Sequence, residues 1–254
     1  MRKPWPGRGF LYCRLRLERK PKDIRHAASD SSATTLVLAT DRADSLMQRS
    51  IDDPGNTLDL WDYRRRMSDL YVRVRQMEPA AGWSHWVAAR NELFRTHPQS
   101  PLPAALRASF TGLEYWDYDP DLRLTAMVQP VPETEIRVSH SGAGSTPART
   151  FGRARFRLGS FDGALTLYWL KDYGGGVFVP FGDATNGTET YGGGRYLLDT
   201  AKGADLGHDR ESVTLDFNFS YHPSCVHDSR WSCPLSPTEN RLPVPIRAGE
   251  RLPR

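Results

Sequence analysis

Arg153-Ala154-Arg155-Phe156-Arg157-Leu158 and, shortly after it, Leu165-Thr166-Leu167-Tyr168-Trp169 decide the fold. In both runs apolar side chains recur at every second position, the period of a β-strand, whose successive side chains point to opposite faces. Three arginines hold the alternate positions of the first run, so one face of that strand is expected to be dry and the other wet. Working outward, Val177, Val179 and Phe181 keep the same beat, and Val213, Leu215, Phe217 and Phe219 alternate with Thr214, Asp216 and Asn218. Asp162-Gly163, Gly174-Gly175-Gly176, Asn186-Gly187 and Gly192-Gly193-Gly194 supply residues that accept the positive φ of hairpin turns. Antiparallel, half-buried strands are therefore expected over about 121–254, with residues 139–149, small and polar, as a mobile loop.

Upstream the period becomes helical. Leu60, Tyr63, Met67, Leu70, Val74 and Met77 recur at spacings of three and four behind Thr57, a candidate N-cap, and predict one amphipathic helix ending near Pro79. Its arginines, among them Arg64, Arg65, Arg66, Arg73 and Arg75, fall on the other, solvated faces. Trp83, Trp86, Val87, Leu93 and Phe94 predict a second helix from about Trp83 to Thr96, stopped because the residue before Pro98 disfavours the helical region. The expected fold class is α+β, mostly β: an antiparallel β-sandwich or partly open barrel with two N-terminal amphipathic helices, at about 57–97, packed on it. Residues 47–254 are expected to form a single domain.

Residues 2–25 carry nine Lys or Arg against two acids, a local net of +7. The whole chain of 254 residues is only +4, which leaves −3 for the remainder, so the basic pI of about 9.0 belongs to the leader. Residues 1–46 are expected to be a disordered basic leader, with Met47 as an alternative start. Nucleic acid is expected to be met only non-specifically, through that leader. With a mean hydropathy of −0.57 and no run of about 18 apolar residues, neither a membrane span nor a secretory signal is read, and a cytoplasmic protein is expected.

Familiar catalytic templates are missing from the sequence. There is no Gly-x-Ser-x-Gly elbow, no His-Glu-x-x-His pair and no Cys-x-x-Cys, and the glycine clusters lack the ending of a phosphate loop. Polar residues gather instead on the last strands. Asp216 and Asn218 share the polar face of their strand, a face that is either solvent or the wall of a pocket. Tyr221, His222, Cys225, His227 and Cys233 could offer nitrogen and sulfur ligands to zinc, form a disulfide, supply an activated thiol with His222, His227 or Arg230 nearby, or simply be buried structural groups. Buried thiols are the favoured reading, and no metal and no cofactor are expected. Asp183, Thr185, Thr190, Tyr191, Arg195 and Tyr196 cluster about Asn186-Gly187, and Arg195 beside Asp216 would make either a structural salt bridge or an anion site. The proline-rich close, Cys233 to Pro245, is expected to run extended over the domain surface.

Several segments carry a resemblance: Arg90-Asn91-Glu92-Leu93-Phe94 with His97-Pro98; Tyr118-Asp119-Pro120; Phe181 with Asp183, Thr185 and Gly187; Thr190-Tyr191 with Gly194-Arg195-Tyr196-Leu197; Asp216-Phe217-Asn218 with Tyr221, Pro223 and Cys225; and Cys233-Pro234-Leu235 with Glu239-Asn240-Arg241-Leu242-Pro243 and Ala248-Gly249-Glu250. In these, from about Leu58 to the end, the chain resembles the bacterial and archaeal domain-of-unknown-function 1684 family. The resemblance implies a compact, mostly β domain with a polar cluster drawn from Arg195, Asp216, Asn218, Cys225, Cys233 and Asn240, and it implies no substrate. The first functional expectation is a small-molecule-binding or enzymatic pocket taking a small anionic metabolite. Asp216 and Arg195 are its candidate catalytic residues, and Tyr191, Asn218, Asn240, Cys225 and Cys233 its candidate ligand contacts. The alternative is a protein-interaction module presenting Arg65, Arg73 and their neighbours.

Overall fold

The computed structural model describes residues 54–171 and 175–253. The expectations for residues 1–46, including the leader and its nucleic-acid contacts, lie outside the described residues. Helix α1 spans Pro54–Val74, α2 Pro79–Thr96 and the short α3 Ala104–Arg107. Nine strands follow: β1 (Glu114–Tyr115), β2 (Arg123–Pro130), β3 (Glu135–Ser139), β4 (Ser145–Leu158), β5 (Phe161–Leu170), β6 (Gly176–Phe181), β7 (Arg195–Asp199), β8 (Ser212–Asp216) and β9 (Glu250–Arg251). The fold is α+β and mostly β, as expected.

Helix boundaries differ from the sequence expectation because proline was read as a stop where it is a start. Pro79, lacking an N–H, sits in the first turn of α2, and the chain leaves α1 at Val74. Thr57 lies inside α1, not at its cap, and Met77, beyond the helix, is exposed. Of the predicted α1 stripe, Met67, Leu70 and Val74 are buried and Leu60 and Tyr63 half-buried; Tyr71, outside that stripe, is fully buried as well.

The main sheet is antiparallel and runs β7-β6-β5-β4-β2-β8, with β3 added along the first half of β4. It curls into a half-barrel whose edge strands β7 and β8 do not pair. Most of the segment read as a loop over 139–149 is strand, because Ser145 to Arg149 pair with β3. The β4–β5 turn is made by Gly159, at φ +54, and Ser160. Asp162-Gly163, expected as the turn, lies in β5, where the absent side chain of Gly163 leaves room for the Phe156 ring. A bulge in β4 between Thr150 and Gly152 shifts the register opposite β5. The predicted alternation of facing holds, with Leu165, Leu167 and Trp169 toward the inside of the curl and Tyr168 toward the helices, but burial does not follow it: Tyr168 is fully buried and Trp169 is exposed.

Both faces of the sheet are covered. On one side Trp86 and Tyr71 of the helices meet Tyr168, Phe178, Tyr196 and Phe219, with the Trp86 and Phe219 rings 5.1 Å apart. On the other, the inside of the curl holds Ala154, Phe156, Leu165, Leu167, Val179, Leu197, Leu215 and Phe217. Each such Val, Leu or Phe side chain contributes roughly 1.5–3 kcal/mol by leaving water. The proline-rich close is at the surface only in part: Thr238, Glu239, Arg241, Pro243 and Pro245 are exposed, but Leu242, and just beyond the segment Ile246 and Ala248, are buried in this inner core, where Leu242 N–H bonds Gly182 O and Ala184 N–H bonds Val244 O.

Candidate functional site

β8 stops at Asp216, and Phe217–Phe219 turn as a single 3-10 helix whose cap is the Asp216 carboxylate, accepting the Asn218 N–H at 3.0 Å. The same carboxylate accepts Asn218 Nδ2–H at 2.8 Å and Arg123 Nη1–H at 3.1 Å. Asn218 in turn clasps Asp119, accepting its N–H at 2.8 Å and donating to its carbonyl at 2.7 Å. Both Asp216 and Asn218 are fully buried, so their face is neither solvent nor the wall of an open pocket. Burial pushes the Asp216 carboxyl up, against the pull of Asn218 and Arg123.

Arg195 pairs with Asp183 at 2.7 Å, not with Asp216. Fully buried, its guanidinium also donates to Ile246 O at 2.7 Å, Glu250 O at 3.2 Å and Ala248 O. It therefore clamps the tail to β7, using the fork of donors that only arginine provides. Asn240 does similar work for β5 and β6, accepting Thr166 N–H at 2.7 Å and donating to Thr166 O and Pro180 O at 3.0 and 2.8 Å. Four of the expected site residues are thus spent on holding backbone together.

His222 and His227 converge on Glu250, with ring nitrogens 3.4 and 3.3 Å from its carboxylate. Tyr191 N–H donates to His222 Nε2 at 3.2 Å, which leaves Nδ1 to carry the proton toward Glu250. Glu250 also meets Arg90 at 2.9 Å, and Arg90 lies over Trp86 and Tyr221, 4.7 and 5.0 Å from their ring centres. Burial alone would raise the Glu250 carboxyl, but Arg90, His222 and His227 outweigh it and hold it well below the usual range. Cys225 and Cys233 are free thiols close enough to influence each other, and Cys225 likewise influences the Tyr191 phenol. Burial pushes the Cys233 thiol up, which keeps it protonated near neutrality. Among the described residues no three of His, Cys, Asp and Glu converge as metal ligands.

A cavity of about 360 Å³ opens between α1, α2 and the helix-facing side of the sheet. Tyr63, Phe94, Phe178, Tyr196, Tyr221 and Trp231 give it aromatic walls; Arg64, His140, Asp199, Lys202, His222 and Cys233 bring polar groups. Lys202 Nζ lies 3.1 Å from Asp199, whose other contact is the Tyr221 hydroxyl at 3.4 Å. Arg64, exposed at the mouth, has no acidic partner among the described residues. The Trp231 indole N–H is buried without an acceptor among the described residues. Burial holds the Tyr196 and Tyr221 phenols well above their usual range, so they are neutral hydrogen-bonding groups.

Of the seven candidate catalytic and ligand-contact residues, only Cys233 borders this cavity, and Tyr191, Cys225, Arg195, Asp216, Asn218 and Asn240 do not; Tyr196, Tyr221 and His222, read from sequence in the same polar clusters, also line it. Arg90, Glu250, Asp199, Lys202 and Trp231 were not singled out. Arg90 did leave a trace: Trp86, Arg90 and Phe94 stand at i, i+4 and i+8, which puts a charge on the apolar stripe of α2. Nothing local marks Lys202 or Asp199.

Comparison with curated proteins yields no match. Among solved structures, the solution NMR structure of an uncharacterised protein of Haloarcula marismortui is similar to this chain, at 32% identity and a TM-score of 0.48, covering 66% of this chain and 93% of that one. The family profile described as protein of unknown function (DUF1684) matches residues 108–251. With that match running from the strand-rich domain's start to β9, the chain belongs to the DUF1684 family.

Proposed function

We propose that this protein binds a small anionic metabolite in the cavity between the helix pair and the sheet. The observation that carries the reading is its charge: Arg64 and Lys202 face the space, while the one acid with them, Asp199, is already held by Lys202 and Tyr221. An anion there meets a net positive wall, an unoccupied Trp231 N–H donor and aromatic rings that suit a flat or apolar body. Binding is favoured over catalysis because the phenols and the Cys233 thiol in the walls stay protonated near neutral pH. A cytoplasmic setting fits the free thiols, and no helix among the described residues is long and apolar enough to cross a membrane.

The test is a thermal-shift screen of the full chain with small carboxylates and phosphates. A ligand at a hundredfold its Kd adds about 2.7 kcal/mol, and so raises Tm by about 5–11 °C in a domain of this size. Lys202→Met and Arg64→Ala are expected to remove most of that shift. A hit that survives both substitutions, or a well-folded chain with no hit, refutes the assignment.

A further inference from the structure

The opposite side of the sheet carries a second cavity, of about 580 Å³, within the range of about 300–1,000 Å³ typical of small-ligand sites. Its walls are side chains at one end of the half-barrel, drawn from every strand of the main path: Leu198, Val177, Leu167 with Trp169, Phe151, Val128 and Val213. The other end of the curl is plugged by Phe156, Phe181 and Phe217 together with the buried tail. The open end has no such plug, because β7 and β8 do not pair and the β4 bulge displaces the register at Phe151. A barrel of this kind left unfilled at one mouth is a common setting for a small apolar ligand.

The rim is formed by the segment joining β7 to β8, and its polar groups are not equivalent. Asp205 meets Arg75 at 3.5 Å and caps Gly207 N–H at 2.8 Å. Asp209 accepts the N–H groups of Glu211 and Ser212 and the Ser212 hydroxyl, at 2.7–2.9 Å. His208 Nδ1 lies 2.9 Å from Asp209 O. Both acids are therefore committed to the protein's own donors. Arg210, exposed on the same rim, has no acidic partner among the described residues. A chamber with apolar walls and one uncommitted guanidinium at its mouth is complementary to a molecule with an alkyl body and a single anionic end.

We propose that the open end of the half-barrel is a binding site for an alkyl carboxylate, its chain among Leu167, Val177 and Leu198 and its carboxylate on Arg210. The site is independent of the cavity on the helix-facing side, since Val177 and Phe178, adjacent in β6, point into the two different spaces. Decanoate and its uncharged match 1-decanol serve as probes, titrated into the full chain and followed by tryptophan fluorescence, to which Trp169 on the cavity wall contributes. Saturable binding of decanoate is expected, abolished by Val177→Trp, which fills the chamber from a partly buried position. Arg210→Ala is expected to weaken decanoate about threefold, the worth of one exposed ion pair, and to leave 1-decanol unchanged. Circular dichroism and Tm of each variant establish that it is folded; if Val177→Trp unfolds, Val128→Trp replaces it. Absence of saturable binding, binding indifferent to the filling substitution, or equal effects of Arg210→Ala on both probes overturns the proposal.

Discussion

Replacing Glu250 by glutamine removes one negative charge from a site where three groups have been arranged around it. Glu250 is 1% exposed and its partner Arg90 3%. In the variant the Arg90 guanidinium keeps Tyr115, at 2.7 Å, and its aromatic neighbours, but loses its counter-ion. Breaking a buried pair by removing one partner costs about 3–5 kcal/mol, because the remaining charge stays buried. At roughly 2–4 °C per kcal/mol for a domain of this size, Tm should fall by about 6–20 °C at pH 7. The pH dependence has a definite sign. The folded Glu250 carboxyl lies well below 4.5, so its stabilisation is fully present above the ordinary carboxylate value and is lost as pH falls through the lower, folded one. Differential scanning calorimetry of wild type and Glu250→Gln should therefore give a gap that is constant above about pH 5.5 and narrows below pH 4.5. A Tm change under about 2 °C at pH 7, or a gap that widens in acid, refutes the account of Glu250 as the counter-charge of this core.

Three further outcomes are expected. Arg195→Lys should cost about 2–4 kcal/mol in chemical denaturation, since an ammonium cannot reach Asp183 and the carbonyls of Ile246, Ala248 and Glu250 together; an unchanged midpoint would mean that the clamp contributes nothing. Asp216→Ala should destabilise by about 2–4 kcal/mol while Asp216→Asn costs less than about 1.5, because asparagine keeps the cap of the Phe217–Phe219 turn and relieves a carboxylate whose pKa burial has raised; equal losses would show that the charge, not the cap, matters. Gly249→Ala should cost more than about 2 kcal/mol and lower Tm accordingly, for Gly249 holds φ +73 and a Cβ there would collide with the Ser220 hydroxyl and carbonyl.

Period two in Arg153–Leu158 and Leu165–Trp169, and period 3.6 in Leu60–Val74, were enough for the fold class, because each reports which side of a single element must be dry. They could not report where an element ends when tertiary contacts decide it. Ser145–Arg149 lacks a hydrophobic beat yet is strand, since β3 satisfies its backbone; Pro79 opens a helix or closes one by the same local chemistry. Cover on both sides erased the inside-outside signal at Tyr168, which the helices bury while Leu167 and Trp169 face the inside of the curl. Polar residues near the end of the chain were legible as a cluster, but not their business: Arg195, Asp216, Asn218 and Asn240 bind backbone that lies up to a hundred residues away in sequence. The two cavities were not legible at all. Arg64, Lys202, Trp231 and Arg210 become wall or rim only when the sheet curls and the helices dock on it, because a cavity belongs to the packing of distant elements and has no period of its own.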